Sequence, residues 1–594
     1  MKNFLKMLLA STLGVFIALF LVWLIAFTMM IGMLSSVGSS KSAYMLTDNT
    51  VLQLDLSGRI NDREATDFMS GFLGSPSDKS TGLDDILKAI NTAKENDKIR
   101  GIYIKNGGIS AGYATLEPIR KALIDFKESG KFIVSYGDYY RQGSYYISST
   151  ADKVIMNPQG MFMLHGMAAN MQFSKGLFDK LGIKFEVFKV GTYKAAVEPL
   201  TETKMSAENR EQITSYMNCI WSRLLAGISE SRSITLEDLN RYADEYMDFS
   251  APEKAIEYGL VDTLMYVTDV KEYIKQLAGG SKDIKFASVS KINSVPTKKG
   301  KVSKDKIAVL YAEGQIVPGE SRSYGVLSDN MITDDEYVKE LVKLKDDKSV
   351  KAVVFRINSP GGSAYASEQI WYAVSELQKV KPVIVSMGDV AASGGYYIAC
   401  AADVILAEPT TITGSIGGFA LIPEGVELYK KIGLSFDVVK TNKYSDMNVA
   451  GIGSKPYTNE ERQIIQGYIN RFIDVFYTRC ADGRSKTKEE IDAIGQGRVW
   501  TGVQALENGL IDQLGGLEDA IKIAAERAQI TDYDVNKYPK IKDPFTKLME
   551  ELTGGNVKAT VIKSFLGEEV YKQYLLTNGK TMPLDLVQAL LWDY

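Results

Sequence analysis

The sequence predicts an α/β fold with a mainly parallel sheet, laid down twice in tandem behind an apolar N-terminal span. Three observations carry this: β-branched runs alternate with helical patterns, the chain matches itself at a nearly constant offset, and one long uncharged segment opens it.

The alternation is clearest in the second half. KAVVFRI reads as a strand, SAYASEQIWYAVSELQKV as a helix, KPVIVSM as a strand, SGGYYIACAA as the start of a helix and DVILAE as another strand. Strand and helix in turn require crossovers, and crossovers give parallel neighbours.

The self-match has an offset of 251. It pairs Gly137-Asp138 with Gly388-Asp389, Tyr145-Tyr146 with Tyr396-Tyr397, and FEVFKVGTYK from Phe185 with FDVVKTNKYS from Phe436. Small shifts add VLQLDLSGRI with IAVLYAEGQI, Arg210 and Tyr216 with Arg462 and Tyr468, and AIEYGLVD with ALENGLID. Ordered matches along both halves indicate a tandem duplication.

The opening segment has no charge between Lys6 and Lys41, and Met7 to Gly32 is almost wholly apolar. At about 1.5 Å per residue it reaches roughly 39 Å, enough to cross a hydrocarbon core of about 30 Å with some tilt. Lys2 and Lys6 precede it, so the positive-inside rule leaves the N-terminus in the cytoplasm and the rest of the chain outside. A cleavable signal peptide competes, helped by SSVGSS after the span. Its apolar region would run only about 7–15 residues, and an uncleaved anchor is the expectation.

These signals divide the chain into a cytoplasmic tip and anchor (1–45), a first repeat (46–281), a Lys-rich linker (282–306), a second repeat (307–539) and a helical tail (540–594). The linker carries eight lysines and no sustained apolar periodicity, and reads as solvated.

Composition removes several function classes. A net charge of -4 gives no basic field for nucleic acid, so no such partner is expected. Cys219, Cys400 and Cys480 are odd in number and far apart, against a disulfide framework or a zinc cluster. Cys400 reads as part of a buried helix without a redox role. His165, the single histidine, aligns with Ile416 in the T-G-S-I-G region of the second half, but its own half has Gln142 at the serine position, so it reads as structural. The tyrosines of YYRQGSYY, from Tyr139, read as packing between halves or subunits.

Two glycine-rich turns in the second half hold the candidate chemistry, N-S-P-G-G-S at Asn358 to Ser363 and A-A-S-G-G-Y at Ala391 to Tyr396. Each follows a strand and opens a helix, where free N–H groups and the positive end of a helix dipole gather. Ser393 would stand exposed at such a turn, with Gly361, Gly362 and Gly394 bringing backbone donors to a substrate carbonyl. The repeat puts Gln142 opposite Ser393, and Ser445 opposite the lysine of G-T-Y-K, Lys194. One site is thus divided between two halves. A lysine acts as base only when neutral, and VGTYKAAVEPL is apolar enough to lower its pKa by desolvation. By itself Lys194 reads as a surface lysine.

The set G-T-Y-K-A-A-V-E-P, N-S-P-G-G-S, A-A-S-G-G-Y-Y and T-G-S-I-G (Thr413 to Gly417) resembles the signal peptide peptidase A family in its long, duplicated form, also called protease IV. The resemblance runs from the anchor to about residue 530. It implies a fold related to the Clp protease subunit and the crotonases, two domains of ββα spiral units. It also implies Ser393 as nucleophile, Lys194 as general base and Ser415 as the hydrogen-bond partner that orients the lysine. No metal or cofactor is implied. The substrates would be signal peptides or other apolar peptides, cut by a homotetramer anchored in the bacterial inner membrane with its sites on the periplasmic side. Crotonase-like acyl-CoA chemistry is a second reading, since that superfamily also uses backbone oxyanion donors, and a catalytically dead membrane scaffold is a third. The span and the GTYK segment speak against the acyl-CoA reading.

Overall fold

The computed structural model describes residues 44–64, 80–280, 284–296, 303–319, 331–447 and 452–541, with a few positions between 13 and 24. Most of the predicted anchor and most of the predicted tail lie outside the described residues. Among those residues no helix is long and apolar enough to cross a membrane.

In the first half the strands are β1 (Thr50–Asn61), β2 (Ser80–Gly82), β3 (Ile99–Ser110), β4 (Phe132–Tyr140), β5 (Lys153–Phe162), β6 (Lys184–Val190), β7 (Thr263–Leu264) and β8 (Lys285–Ser288). In the second they are β9 (Lys306–Glu313), β10 (Gln315–Val317), β11 (Met331–Thr333), β12 (Val350–Ser359), β13 (Val383–Ala392), β14 (Val404–Ala407), β15 (Ile412–Gly414), β16 (Gly418–Glu424), β17 (Val499–Thr501), β18 (Gln513–Leu514) and β19 (Asp534–Tyr538).

The first sheet runs β2-β1-β3-β4-β5-β7, with β8 also on β1, and every pairing in it is parallel. The second runs β17-β15-β13-β12-β9-β19, with β14 bridging β13 to β18, and only the β15–β17 pair is antiparallel. The duplication is therefore visible as topology: β3, β4 and β8 occupy the places of β12, β13 and β19.

Central strands buried on both faces are mostly apolar. That is why KAVVFRI reads as a continuous run, and Ala352 to Ile357 of β12 are all buried. The helix Ala364–Gln378 turns Ala366, Ile370, Ala373, Val374 and Leu377 inward at helical spacing, and its N-cap Ser363 accepts from Ala366 N–H.

Two sequence expectations need correction. The predicted linker is not simply solvated: β8 lies inside it, Phe286 meets Tyr103 edge-on, and Ala287 and Ile292 are buried. Four residues are too few for alternation to stand out among lysines, and pairing with β1 supplies what periodicity did not. The tyrosine cluster packs inside the first half rather than between halves. Tyr140 and Tyr145 are buried against Phe162, with hydroxyls donating to Ile155 O (2.9 Å) and Leu260 O (2.6 Å). Cys400 and Cys480 are buried and free.

The two halves are tied through buried polar groups. Arg356 of β12 donates from Nε and Nη2 to Asp62, just past β1, at 3.1 and 2.9 Å, and both side chains are almost fully buried. Asp389 of β13 caps the first-half helix Tyr113–Lys127, accepting from Gly112 N–H, Thr115 N–H and Thr115 Oγ1 at 3.2, 2.8 and 2.7 Å.

Candidate active site

Ser393 ends β13 and opens the helix Gly394–Ala399. Its backbone sits at φ 55, ψ -119, a conformation a non-glycine residue rarely adopts. Ser393 N–H donates to Gly414 O at 2.9 Å, and the helix behind is fixed by buried Tyr396 and Tyr397, the latter stacked on Phe476. The turn is strained and held, so the side chain is displayed rather than packed.

Gly361, Gly362 and Gly394 line the same turn, and each is required there. A Cβ on Gly361 would come within 2.6 Å of Gly394 N, and one on Gly362 within 2.0 Å of Ile316 O. Of the three predicted oxyanion donors, Gly361 N–H is already engaged by Ser359 Oγ at 3.1 Å. Gly362 and Gly394 N–H have no such partner among the described residues. The donor pair narrows to Gly362 and Gly394.

Lys194 comes from the other half, by a route the sequence alone did not reveal. β6 leaves the first domain and pairs antiparallel with β16 of the second, from Val190↔Gly418 to Lys184↔Glu424. The chain then turns at Gly191, φ +114, where a Cβ would strike the Gln496 carbonyl. Tyr193 N–H donates to Gln496 O at 2.8 Å, and Gly497 lies directly against Lys194.

Lys194 Nζ reaches Ser393 Oγ at 3.1 Å, Ser415 Oγ at 2.9 Å and Ser415 O at 2.9 Å. Ser415, at φ 51, sends its own hydroxyl proton toward Gly497 O at 3.3 Å, leaving Oγ lone pairs for the lysine. The lysine is 5% exposed, and desolvation lowers its pKa from 10.5 to about 8. A neutral amine has two N–H groups and one lone pair. Two oxygens of Ser415 take the protons, so the lone pair faces Ser393.

Residues that sequence reasoning missed hold this arrangement. The G-Q-G-R segment at 495–498 lies between the lysine loop and the Ser415 loop: Ser415 N–H donates to Arg498 O and Gly497 N–H to Ile416 O, both at 2.7 Å. Buried Gln212 clamps the same region, donating to Tyr193 O at 3.0 Å and accepting from Val499 N–H at 3.2 Å. A signal existed, since G-Q-G has no glycine counterpart in the DEYM of the first half. Gly497 has φ +74, and a Cβ there would meet Lys194 N and Cα at 2.8 and 2.9 Å. Gly497→Ala is expected to lower kcat by at least about tenfold through displacement of the lysine, with KM little changed. An unchanged kcat in steady-state assays would count against that support role.

Among the described residues, the first half shows no equivalent site. Gln142 stands at the serine position, and its Oε1 accepts from His165 and Gly166 N–H at 2.9 Å each. His165 Nδ1 lies 2.9 Å from Asp248 Oδ1, another residue of the first half.

Comparison with known proteins bears on this geometry. The model of peptidase family S49 matches the chain twice, at residues 125–281 and 375–531, together more than half of its length. The chain belongs to peptidase family S49. The Clp protease model also matches residues 299–409, in agreement with a Clp protease-like α/β fold. This S49 peptidase is 35% identical to Protease 4 of Salmonella typhi over 88% of the chain and 85% of that protein. It is 33% identical to Protease 4 of Haemophilus influenzae over 84% and 82%. To the chloroplastic serine protease SPPA of Arabidopsis thaliana it is 32% identical over 85% and 73%. The S49 peptidase is a serine peptidase of the protease IV and signal peptide peptidase A group, and the two matched spans fall one in each half.

Proposed function

We propose that this serine peptidase is a membrane-anchored endopeptidase that degrades cleaved signal peptides and other apolar peptides through a Ser393/Lys194 dyad. The observation that carries the reading is the buried Lys194 Nζ, 3.1 Å from Ser393 Oγ with both its remaining contacts on Ser415.

In this mechanism Lys194 takes the Ser393 proton as Oγ attacks the substrate carbonyl. The oxyanion that forms lies toward Gly362 and Gly394 N–H, the latter at the positive end of a short helix. Protonated Lys194 then gives its proton to the leaving amine. Water, activated by the neutral lysine, releases the acyl group from Ser393. Ser415 keeps Nζ in place throughout.

The apolar segment 7–32 supports an anchor with the catalytic halves on the periplasmic side, which would set the site near peptides left in the bilayer. One relative, of Enterococcus faecium and 34% identical over 40% of the chain, carries the name signal peptide peptidase and supports that substrate class, and a homotetramer is part of the same proposal.

The test is hydrolysis of an apolar signal-peptide-like substrate. Ser393→Ala is expected to remove activity by about 10³-fold or more and to abolish labelling by a serine-reactive phosphonate. Full activity in that variant would exclude Ser393. Acyl-CoA turnover surviving it would favour the crotonase-like reading instead.

A further inference from the structure

Lys194 and Ser393 come from different halves, so the lysine loop of one has to be held against the serine loops of the other. The residue before Lys194 shows where that grip is taken. Tyr193 is held at three points: its N–H donates to Gln496 O at 2.8 Å, its carbonyl accepts from Gln212 Nε2 at 3.0 Å, and its hydroxyl donates to Glu211 Oε2 at 3.0 Å. Glu211 and Gln212 lie on the first-half helix Ala207–Arg232, which itself sits on the second half. Ser215 Oγ accepts from Gln504 Nε2 at 2.8 Å, and Cys219 Sγ is 3.2 Å from Thr501 Oγ1.

Arg498 joins this cluster from the second half. Its guanidinium lies over the Tyr193 ring at 4.7 Å and over the Trp500 ring at 4.4 Å. Nη1 reaches Glu211 Oε1 at 2.9 Å and Tyr193 Oη at 3.3 Å. The main chain of the same residue reaches the other side of the site, where Arg498 O accepts from Ser415 N–H at 2.7 Å. One residue therefore touches both loops that meet at Lys194 Nζ. The corresponding stretch of the first half, DEYMDF from Asp244, contains no arginine.

Magnitudes decide what the guanidinium does there. The Arg498 and Glu211 side chains are 20% and 53% exposed, and an ion pair that wet contributes little to folding stability. Position is another matter. A planar fork set against two rings has few orientations open to it, and a lysine cannot reproduce them. A displacement of about 1 Å at reacting groups can cost about 10²-fold in rate.

We infer that Arg498 is a positioning residue for the dyad: gripped by Tyr193, Trp500 and Glu211, it fixes the lysine loop of the first half against the Ser415 loop of the second and keeps Lys194 Nζ within reach of Ser393 Oγ. The inference rests on the Ser393/Lys194 reading proposed above. Arg498 touches no reacting atom, and acts through Tyr193 and through its own carbonyl. Holding the loop closed also keeps water from Lys194, whose pKa is lowered by desolvation. The titratable groups facing Arg498 are Glu211 and Tyr193, while Lys194 Nζ faces Ser393 Oγ and the two oxygens of Ser415.

The test compares Arg498→Met, Arg498→Lys and Glu211→Gln in the full chain in detergent, by steady-state hydrolysis of an apolar peptide between about pH 6 and 10. Methionine keeps bulk between the two rings, so the fold survives the change. Arg498→Met is expected to lower kcat about 10–100-fold with KM within about twofold, and to move the acid limb of kcat/KM upward by about 0.5–1 pH unit as water reaches Lys194. Arg498→Lys is expected to fare no better, whereas Glu211→Gln, which keeps an acceptor for Tyr193, should lose less than about threefold. An unmoved acid limb in Arg498→Met would overturn the inference, since a role in stability alone lowers the amount of active enzyme without changing its lysine. Full activity in Arg498→Lys would overturn it as well, by showing that charge suffices. Lys194→Met, assayed alongside, keeps the two readings apart. Activity surviving in that variant removes the dyad itself, whereas its loss there with an unmoved limb in Arg498→Met removes only the role of Arg498.

Discussion

Replacing Lys194 by methionine is expected to lower kcat for peptide hydrolysis by at least about 10³-fold and, at the same time, to make the protein harder to unfold at neutral pH. The two effects have one origin. Burial against Ser393 and Ser415, with no acidic partner, lowers the Lys194 pKa from 10.5 to about 8. That shift corresponds to roughly 3 kcal/mol held against the folded state when the lysine is protonated. The sign follows from proton counts. Between about pH 8 and 10.5 the unfolded chain binds the proton and the folded chain does not, so wild-type stability rises across that window. The penalty is full below about pH 8 and gone above about 10.5. Methionine fills a similar volume with no charge to desolvate. Its gain in stability should therefore be largest at or below pH 8 and fade toward pH 10.5, which denaturant midpoints over that range will read. For the wild type, kcat/KM should climb about tenfold per pH unit below pH 8 and flatten above it. A methionine variant that is less stable than wild type at pH 7 would show that the lysine is not buried at a penalty.

The second large effect lies away from the reacting atoms. Asp62→Ala is expected to destabilise the protein by about 3–5 kcal/mol, because it leaves the Arg356 guanidinium buried without the carboxylate that hydrogen-bonds it, while Asp389 and Glu408 act on it only at longer range. Arg356 is 1% exposed, and its remaining donors go to Ser386 Oγ at 2.9 Å and Met387 O at 2.7 Å, which do not neutralise it. The pair joins β1 of one half to β12 of the other, so its loss loosens the seam across which Lys194 and Ser393 meet. Activity should fall as well, through mispositioning rather than chemistry. The double variant Asp62→Leu, Arg356→Met separates the causes. If the unpaired charge is responsible, most of the lost stability returns. A change of under about 1 kcal/mol for Asp62→Ala in urea unfolding would mean that the guanidinium reaches water once its partner is gone.

Much of the fold could be read from residue patterns because it rests on local rules. Strands buried on both faces are mostly apolar, as KAVVFRI is apart from its ion-paired Arg356, and helices between parallel strands must show inward positions such as Ile370, Val374 and Leu377. The serine turn was legible for a similar reason: glycines at Gly361, Gly362 and Gly394 stand where a side chain would strike backbone. The strand β8 escaped notice because four residues among lysines carry no period. Gln212 and Gly497 escaped because their partners lie hundreds of residues away or on another element.

The sequence by itself determined that there are two α/β halves, that the second holds a serine in a glycine turn, and that Lys194 of the first has no lysine opposite it in the second. These follow from short-range periodicity and from comparison of the chain with itself. Only the tertiary structure decided that the lysine and the serine meet. Their approach depends on β6 leaving its own domain for β16, on the burial that strips Lys194 of water, and on Ser415 occupying both of its protons. Each is a contact between segments distant in the chain, and no local pattern encodes the energy of a contact made so far away.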